Sequence, residues 1–322
     1  MLCRTASDLY WLARHIERAE NIARLIDFTQ RIALLPARLD PGRSEAASWQ
    51  RALDALGLVP AYEAAHADLS AAAALRYLML DAANPSSIYN CLRHAREAGR
   101  AQRGAITAEM YQDLNASWLE INAMSWEQIV SDGVTPFLEW VKTRSAAFRG
   151  VTLGTMGRDE GYSFMSLGTF IERADNTVRL LDIKYAQAEH DEMSAERNVV
   201  EFYQWSAMLQ SISAFETYRR IYRDTVTAAR VIELLIYRND APRSLATCCE
   251  TLHALLSRLA GSERIEAVRL AGALAARFRY GRIEEVYERG MPAFLDGVMQ
   301  QVNALTDAVV RQFMISIDLP AV

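Results

Sequence analysis

The hydrophobic positions at the start of the chain follow a helical period. Leu9, Leu12, Ile16, Ala19, Ala23 and Ile26 recur at alternating spacings of three and four, which makes one apolar stripe. Neither Pro nor Gly occurs from Met1 to Leu35, and the pattern predicts a helix from about Thr5 to Leu34. Glu17, Asn21 and Arg24 stack along a second strip, and Glu20, Arg24, Asp27 and Arg31 form an adjoining ladder of alternating charge. Arg18 falls among Trp11, Ile22 and Leu25, an apolar sector. A helix that is apolar on most sides belongs at the centre of a fold. Glu17 and Arg18 are therefore expected to be partly desolvated, and a buried charge needs a partner.

The same stretch returns later. Ile16-Glu17-Arg18-Ala19-Glu20-Asn21-Ile22-Ala23-Arg24-Leu25-Ile26-Asp27 reappears 155 positions on as Ile171-Glu172-Arg173-Ala174-Asp175-Asn176-Thr177-Val178-Arg179-Leu180-Leu181-Asp182, identical at eight of twelve positions. Such self-similarity is a strong architectural signal. Further anchors keep the offset: Trp49, Leu53 and Tyr62 against Trp205, Leu209 and Tyr218 at 156, and Pro85, Ser87 and Cys91 against Pro242, Ser244 and Cys248 at 157. Gly133, Phe137, Leu138 and Val141 match Gly290, Phe294, Leu295 and Val298, also at 157. Their collinearity indicates two copies of one unit, about 1–150 and 151–322, either as two domains or as one merged globular unit. The two motif helices are expected to satisfy each other's charges across a pseudo-twofold axis.

Between these anchors, Pro36 and Asp40-Pro41-Gly42 end the first helix, and Ser44 starts the next. That helix stops near Gly57 and Pro60. Further helices are predicted from about Ala61 to Asp81, Ser86 to Arg103 and Ile106 to Val130, with Asn84 or Ser86 as a cap. Ser131-Asp132-Gly133 breaks the chain, and Pro136 opens a helix to about Phe148. Gly150, Gly154, Gly157 and Gly161 mark a flexible seam between the halves. No strand alternation appears, and the run Val231-Ile232-Glu233-Leu234-Leu235-Ile236 sits inside a helical pattern. The fold class is all-α, internally duplicated, with two pseudo-symmetric helical bundles packed together.

Composition narrows the function classes. The net charge of −5 speaks against general nucleic-acid binding, which needs a basic face. No apolar run reaches membrane-span length, and Asp8 and Glu17 interrupt any signal-like core, so a cytoplasmic location is expected. Lys142 and Lys184 are the only lysines, and the other basic residues are Arg. Cys3, Cys91, Cys248 and Cys249 show no ligand spacing and read as reduced thiols. Adjacent Cys248 and Cys249 are poorly placed for a disulfide with each other. No His pairs with another His or Cys at a metal-binding spacing. The Glu-x-x-His pair of di-iron bundles is absent from both motif helices, and no serine has a nucleophile-elbow context. Neither a metal nor a cofactor is implied. Glu189-His190-Asp191-Glu192 reads as a solvated helix end. The segment Gly154 to Gly161 lacks the strand and the Gly-Lys ending of a phosphate loop. Arg158 remains an anion-binding candidate at the start of the following helix.

What remains is the set Glu17, Arg18, Asn21 and Arg24 with Glu172, Arg173, Asn176 and Arg179, plus Arg158. In one reading they line a polar cleft that grips the amine and carboxylate ends of an amino acid or peptide, where Glu17 or Glu172 could serve as a general base. In the other they form a buried ion-pair lattice that sets helix register. The residues by themselves favour the second reading and reveal no catalytic constellation.

At these residues the chain resembles the bacterial Alpha-E family, an all-α domain named for its Glu-Arg motif. The resemblance rests on Met1-Leu2-Cys3-Arg4, Leu9-Tyr10-Trp11-Leu12-Ala13-Arg14, Ile16-Glu17-Arg18-Ala19-Glu20-Asn21, Asn84-Pro85-Ser86-Ser87-Ile88, Arg158-Asp159-Glu160-Gly161 and Ile171-Glu172-Arg173-Ala174-Asp175, and spans nearly the whole chain. Cys3 stands where the family pattern has Ser, and Tyr162 where it has Trp. The resemblance implies a setting rather than a reaction. Such proteins accompany, or are fused to, circularly permuted ATP-grasp proteins that resemble amide-forming ligases, often with transglutaminase-like peptidases. It therefore implies an accessory or scaffold role beside an ATP-grasp amide or peptide ligase, with no nucleic acid or membrane as partner.

Overall fold

A computed structural model describes residues 1–34, 44–185 and 195–314, with side chains of 195–198 left aside. The described residues form sixteen helices and no strand. The first half contains α1 (Cys3–Ala33), α2 (Glu45–Ala55), α3 (Val59–Ala65), α4 (Ala71–Met79), α5 (Ile88–Ala101), α6 (Ala108–Ala123), α7 (Trp126–Asp132) and α8 (Val134–Thr155). The second contains α9 (Glu160–Tyr185), α10 (Ala195–Ser211), α11 (Phe215–Tyr222), α12 (Ala228–Tyr237), α13 (Leu245–Ala260), α14 (Glu266–Tyr280), α15 (Ile283–Arg289) and α16 (Met291–Phe313).

The predicted central helix is central. Every residue of α1 from Ala19 to Thr29 is buried, charged ones included. Its principal neighbour is α9, which carries the second motif. Helices α5 and α8 flank α1, while α13 and α16 flank α9. Helix α10 also packs on α1, and α2 packs on both motif helices. The core is thus built around one helix pair, with the outer helices wrapped over it.

Side-chain caps set many of the helix starts. Ser44 accepts from the Ala47 N–H at 3.0 Å, as the sequence suggests for this residue. Ser87, rather than Asn84 or Ser86, caps α5 through the Asn90 N–H at 3.2 Å. Asn84 is buried and stabilises the turn before it, donating to the Tyr77 carbonyl at 3.0 Å and accepting from the Ser86 N–H at 3.0 Å. Ser244 plays the part of Ser87 in the second half, capping α13 through the Thr247 N–H at 3.1 Å. Gly133 and Gly290 adopt positive φ, 90° and 77°, and divide α7 from α8 and α15 from α16.

Several predicted boundaries need correction. The helix expected over Ala61 to Asp81 is split into α3 and α4, with Ser70 capping the restart through the Ala73 N–H. The helix expected over Ile106 to Val130 is divided at Met124, where Ser125 caps α7 through the Gln128 N–H. The helix expected to end at Phe148 runs to Thr155, so Gly150 and Gly154 are helical and the glycine-rich seam reduces to a short turn before α9. The expected loop at Pro36 to Gly42 and the helix end at Glu189 to Glu192 lie outside the described residues.

The two motif helices approach each other closely at Gly168. A Cβ built there would press against the Tyr10 carbonyl oxygen and approach the Arg14 side chain at 3.2 Å. Backbone cannot yield as a flexible side chain does, so Gly168→Ala must push α9 away from α1. The substitution is expected to cost about 1–3 kcal/mol, measured by chemical denaturation. An unchanged midpoint would contradict this close approach.

Candidate functional site

The motif residues meet across the α1–α9 interface, and they do so reciprocally. Arg18 of α1 grips Glu172 of α9, its Nε donating to Oε1 at 2.7 Å and its Nη2 to Oε2 at 3.0 Å. Arg173 of α9 grips Glu17 of α1 in the same two-pronged way, at 2.9 and 3.3 Å. Two parallel N–H···O bonds of this kind fix orientation as well as charge. The exchange also extends to main chain. Arg24 donates to the Ser211 carbonyl in the second half, and Arg179 donates to the Ala55 carbonyl in the first.

Around each glutamate the partners differ. Glu17, 1% exposed, also forms an ion pair with Arg243 at 2.9 Å and accepts from Arg149 at 3.1 Å. Its neighbour Glu20 accepts from Arg24 Nε at 2.9 Å, from Arg243 Nη2 at 2.6 Å and from Arg149. Arg243 Nη1 further donates to Asn21 Oδ1 at 3.0 Å. Glu172 is held by Arg14 in addition to Arg18, with Arg14 Nε at 2.9 Å from Oε2. Among the described residues, Asp175 pairs only with Arg179, at 2.6 and 3.0 Å. Asn21 Nδ2 donates to the Glu172 carbonyl at 3.2 Å, whereas the buried Nδ2 of Asn176 has no partner among the described residues.

Six of the nine candidate residues, Glu17, Arg18, Asn21, Arg24, Glu172 and Arg173, thus lie in two joined networks. Arg179 forms a separate pair with Asp175, the Asn176 side chain makes no hydrogen bond to another described residue, and the Arg158 guanidinium stacks 4.1 Å from the Tyr162 ring centroid, outside both networks. The sequence reading missed Arg14, Arg149 and Arg243. Arg149 and Arg243 had one signal, namely that the repeat fails there: the residues paired with them by the 157-residue offset are Thr306 and Ser86.

The electrostatics follow from these contacts. Burial acts to raise the Glu172 carboxyl, but Arg18 and Arg14 outweigh it and hold the group down at about 2. Burial opposes ionisation of Glu17 too, and Arg243, Arg173 and Arg149 together keep it below the ordinary carboxylate range. Both glutamates are therefore ionised and saturated with donors, a poor state for accepting a proton from a substrate. The thiols of Cys91 and Cys248 are pushed up to about 12 by burial, which leaves them unreactive at neutral pH. Cys248 and Cys249 are both free. Among the described residues, no group of three or more His, Cys, Asp or Glu side chains converges to hold a metal ion.

Clefts border the networks among the described residues. One of about 300 Å³ reaches Glu172, Asp175 and Asn176. Another of about 310 Å³ runs past Glu17 and Arg173 between apolar residues such as Phe148, Met165 and Phe170. A smaller one of about 160 Å³ borders Glu20, Arg149 and Arg243.

His15 adds a pH response. Burial, with Arg18 and His94 nearby, drives its pKa from 6.5 down to about 3, and burial also lowers His94. The unfolded chain takes up these protons below about pH 6.5 while the folded chain does not. Stability is thus full above that pH and falls as the pH drops toward 3, with loss from Glu172 added between about 4.5 and 2. Melting temperatures across this range should decline from about pH 6.5, and His15→Gln should flatten the decline above pH 4.5, leaving the part due to His94. A wild-type melting temperature that is flat down to pH 4.5 would contradict this.

The chain is similar to an uncharacterised protein of Mycobacterium bovis and to two of Mycobacterium tuberculosis strains, each 28% identical over 329 aligned positions. The match covers 94% of this chain but 35% of those proteins, so the chain spans about a third of the length of the curated relatives it matches. No solved structure matches it. No described helix is long and apolar enough to cross a membrane. A family model for an α-helical domain with a conserved ER motif matches residues 1–314, and with Glu17-Arg18 and Glu172-Arg173 clasped at its centre the chain belongs to the Alpha-E family.

Proposed function

We propose that this chain is an accessory or scaffold protein that works beside an amide- or peptide-forming ligase of the ATP-grasp type. One observation carries the proposal: both motif glutamates are buried, ionised and saturated by guanidinium groups. They hold the central helices in register and have no capacity left for proton transfer. The residues most characteristic of the chain thus support a structural role, and the chemistry belongs to a partner. That the relatives carry the matching region within much longer chains supports work in concert with other domains. The nature of the partner, a circularly permuted ATP-grasp protein with a transglutaminase-like peptidase as a further associate, rests on the family resemblance.

The finer reading of the fold is an internal duplication with units of about 1–150 and 151–322. It is supported by the reciprocal Arg18–Glu172 and Arg173–Glu17 clasps. The matching carbonyl contacts of Tyr62 to Asp68 and Tyr218 to Thr225 agree with it.

The test is a tagged pull-down from the source cells, followed by a rate measurement on any ATP-grasp protein recovered. The expected result is a stoichiometric complex and a ligase rate that depends on this chain. An ATP-grasp protein from the same cells that neither binds the chain nor changes rate in its presence would overturn the proposal.

A further inference from the structure

The two carboxylate clusters are unequal, and the inequality defines a vacancy. Glu20 accepts hydrogen bonds from three arginines, Arg24, Arg149 and Arg243. Asp175, which stands at the matching position of the second motif, accepts from Arg179 alone among the described residues. Asn21 engages both ends of its amide, through Arg243 and the Glu172 carbonyl. Asn176, only 7% exposed, has an Nδ2 with no partner among the described residues. The cause lies in two residues. Where Arg243 precedes the cap of α13, Ser86 precedes the cap of α5, and where Arg149 projects from α8, α16 has Thr306. Ser86 and Thr306 both line the 300 Å³ cleft, together with Asp175 and Asn176. The cleft on the other side, which Arg149 and Arg243 enter, is about 160 Å³. One cluster is filled by the protein's own guanidinium groups, and the other is left open.

The lining states what would fill it. Asp175 lacks two of the cationic donors that Glu20 has, so a positively charged group is favoured beside it. Yet Arg14, Arg18 and Arg179 outnumber Glu172 and Asp175 in the wall, so a lone cation would enter a site of net positive charge. Among the described residues, Arg18 spends Nε and Nη2 on Glu172 and leaves Nη1 unpaired, a donor for an anion. The lining also carries the apolar residues Ile22, Leu56 and Val302. A volume of 300 Å³ lies at the small end of ligand pockets.

We propose that the cleft between α1, α9 and α16 binds an α-amino carboxylate, a free amino acid or a short peptide. Its carboxylate is held by Arg18, its ammonium by Asp175, and its side chain by Ile22, Leu56 and Val302. Burial makes each of these charged hydrogen bonds stronger than it would be at an open surface. Glu172 takes no part in contacting the ligand, since Arg14 and Arg18 already occupy both its oxygens; it positions Arg18. The inference stands on the cleft alone, so its failure and the failure of the accessory reading would be told apart.

The test is titration calorimetry of the purified chain at pH 7 with the free L-amino acids and a set of dipeptides at millimolar concentration. The best binder is then compared with its methyl ester and its N-acetyl form. Saturable binding is expected, weakened at least about tenfold by loss of either charge. Ser86→Arg places in the cleft the guanidinium that Arg243 supplies on the other side, and should abolish binding while the melting temperature holds. Thr306→Arg, which imitates Arg149 from a different helix, should do the same and serves if the first variant does not fold. The proposal is overturned if no amino acid or dipeptide binds. Full-strength binding of the ester or of the N-acetyl form overturns it too, as does wild-type affinity in a folded arginine variant.

Discussion

The structure depends on the exchange of charges between α1 and α9. Glu17 and Glu172 are almost wholly shut off from water, and a carboxylate in such a place costs several kcal/mol unless it is paired and hydrogen-bonded. Each is paired from the opposite helix, by Arg173 and Arg18. This arrangement is satisfied in one register only. A helical turn of slip would strand two anions in the core and leave their guanidinium partners unpaired. Apolar packing alone discriminates register weakly, because Leu, Ile and Ala are nearly interchangeable along a long stripe. Gly168 makes the pairing possible by letting the Tyr10 backbone come close. The outer helices then pack on a scaffold whose alignment is already determined.

Much of this was legible in the sequence, because a repeated polar motif inside an apolar pattern has few explanations. The crowded apolar faces of the first helix implied its central place, and the shared need of Glu17, Arg18, Glu172 and Arg173 for partners implied that they would meet. The errors have local causes. The breaks before Ser70 and Ser125 fall in stretches with neither Pro nor Gly, where the chain stops one helix and a serine caps the next. The extension of α8 through Gly150 and Gly154 shows the converse: glycine weakens a helix without ending it when packing supports it. Arg14, Arg149 and Arg243 escaped notice because attention to what the halves share passes over what they do not.

Those unshared residues separate the two sides. Where Arg149 and Arg243 project into the first cluster, its carboxylates are neutralised from within and their role is internal. Where Ser86 and Thr306 stand instead, a cleft remains beside Asp175.

The central claim is that the Glu–Arg clasps hold the core in register, and a double-mutant cycle on Glu172 and Arg18 tests it most directly. Denaturation of Glu172→Gln, Arg18→Gln and the double variant would be compared with the wild type. The account predicts a cost of about 3–5 kcal/mol for Glu172→Gln, as for a broken buried pair, with a coupling energy of about 0.5–3 kcal/mol between the two sites. A cost below about 1 kcal/mol, as for an exposed ion pair, together with no coupling, would contradict it.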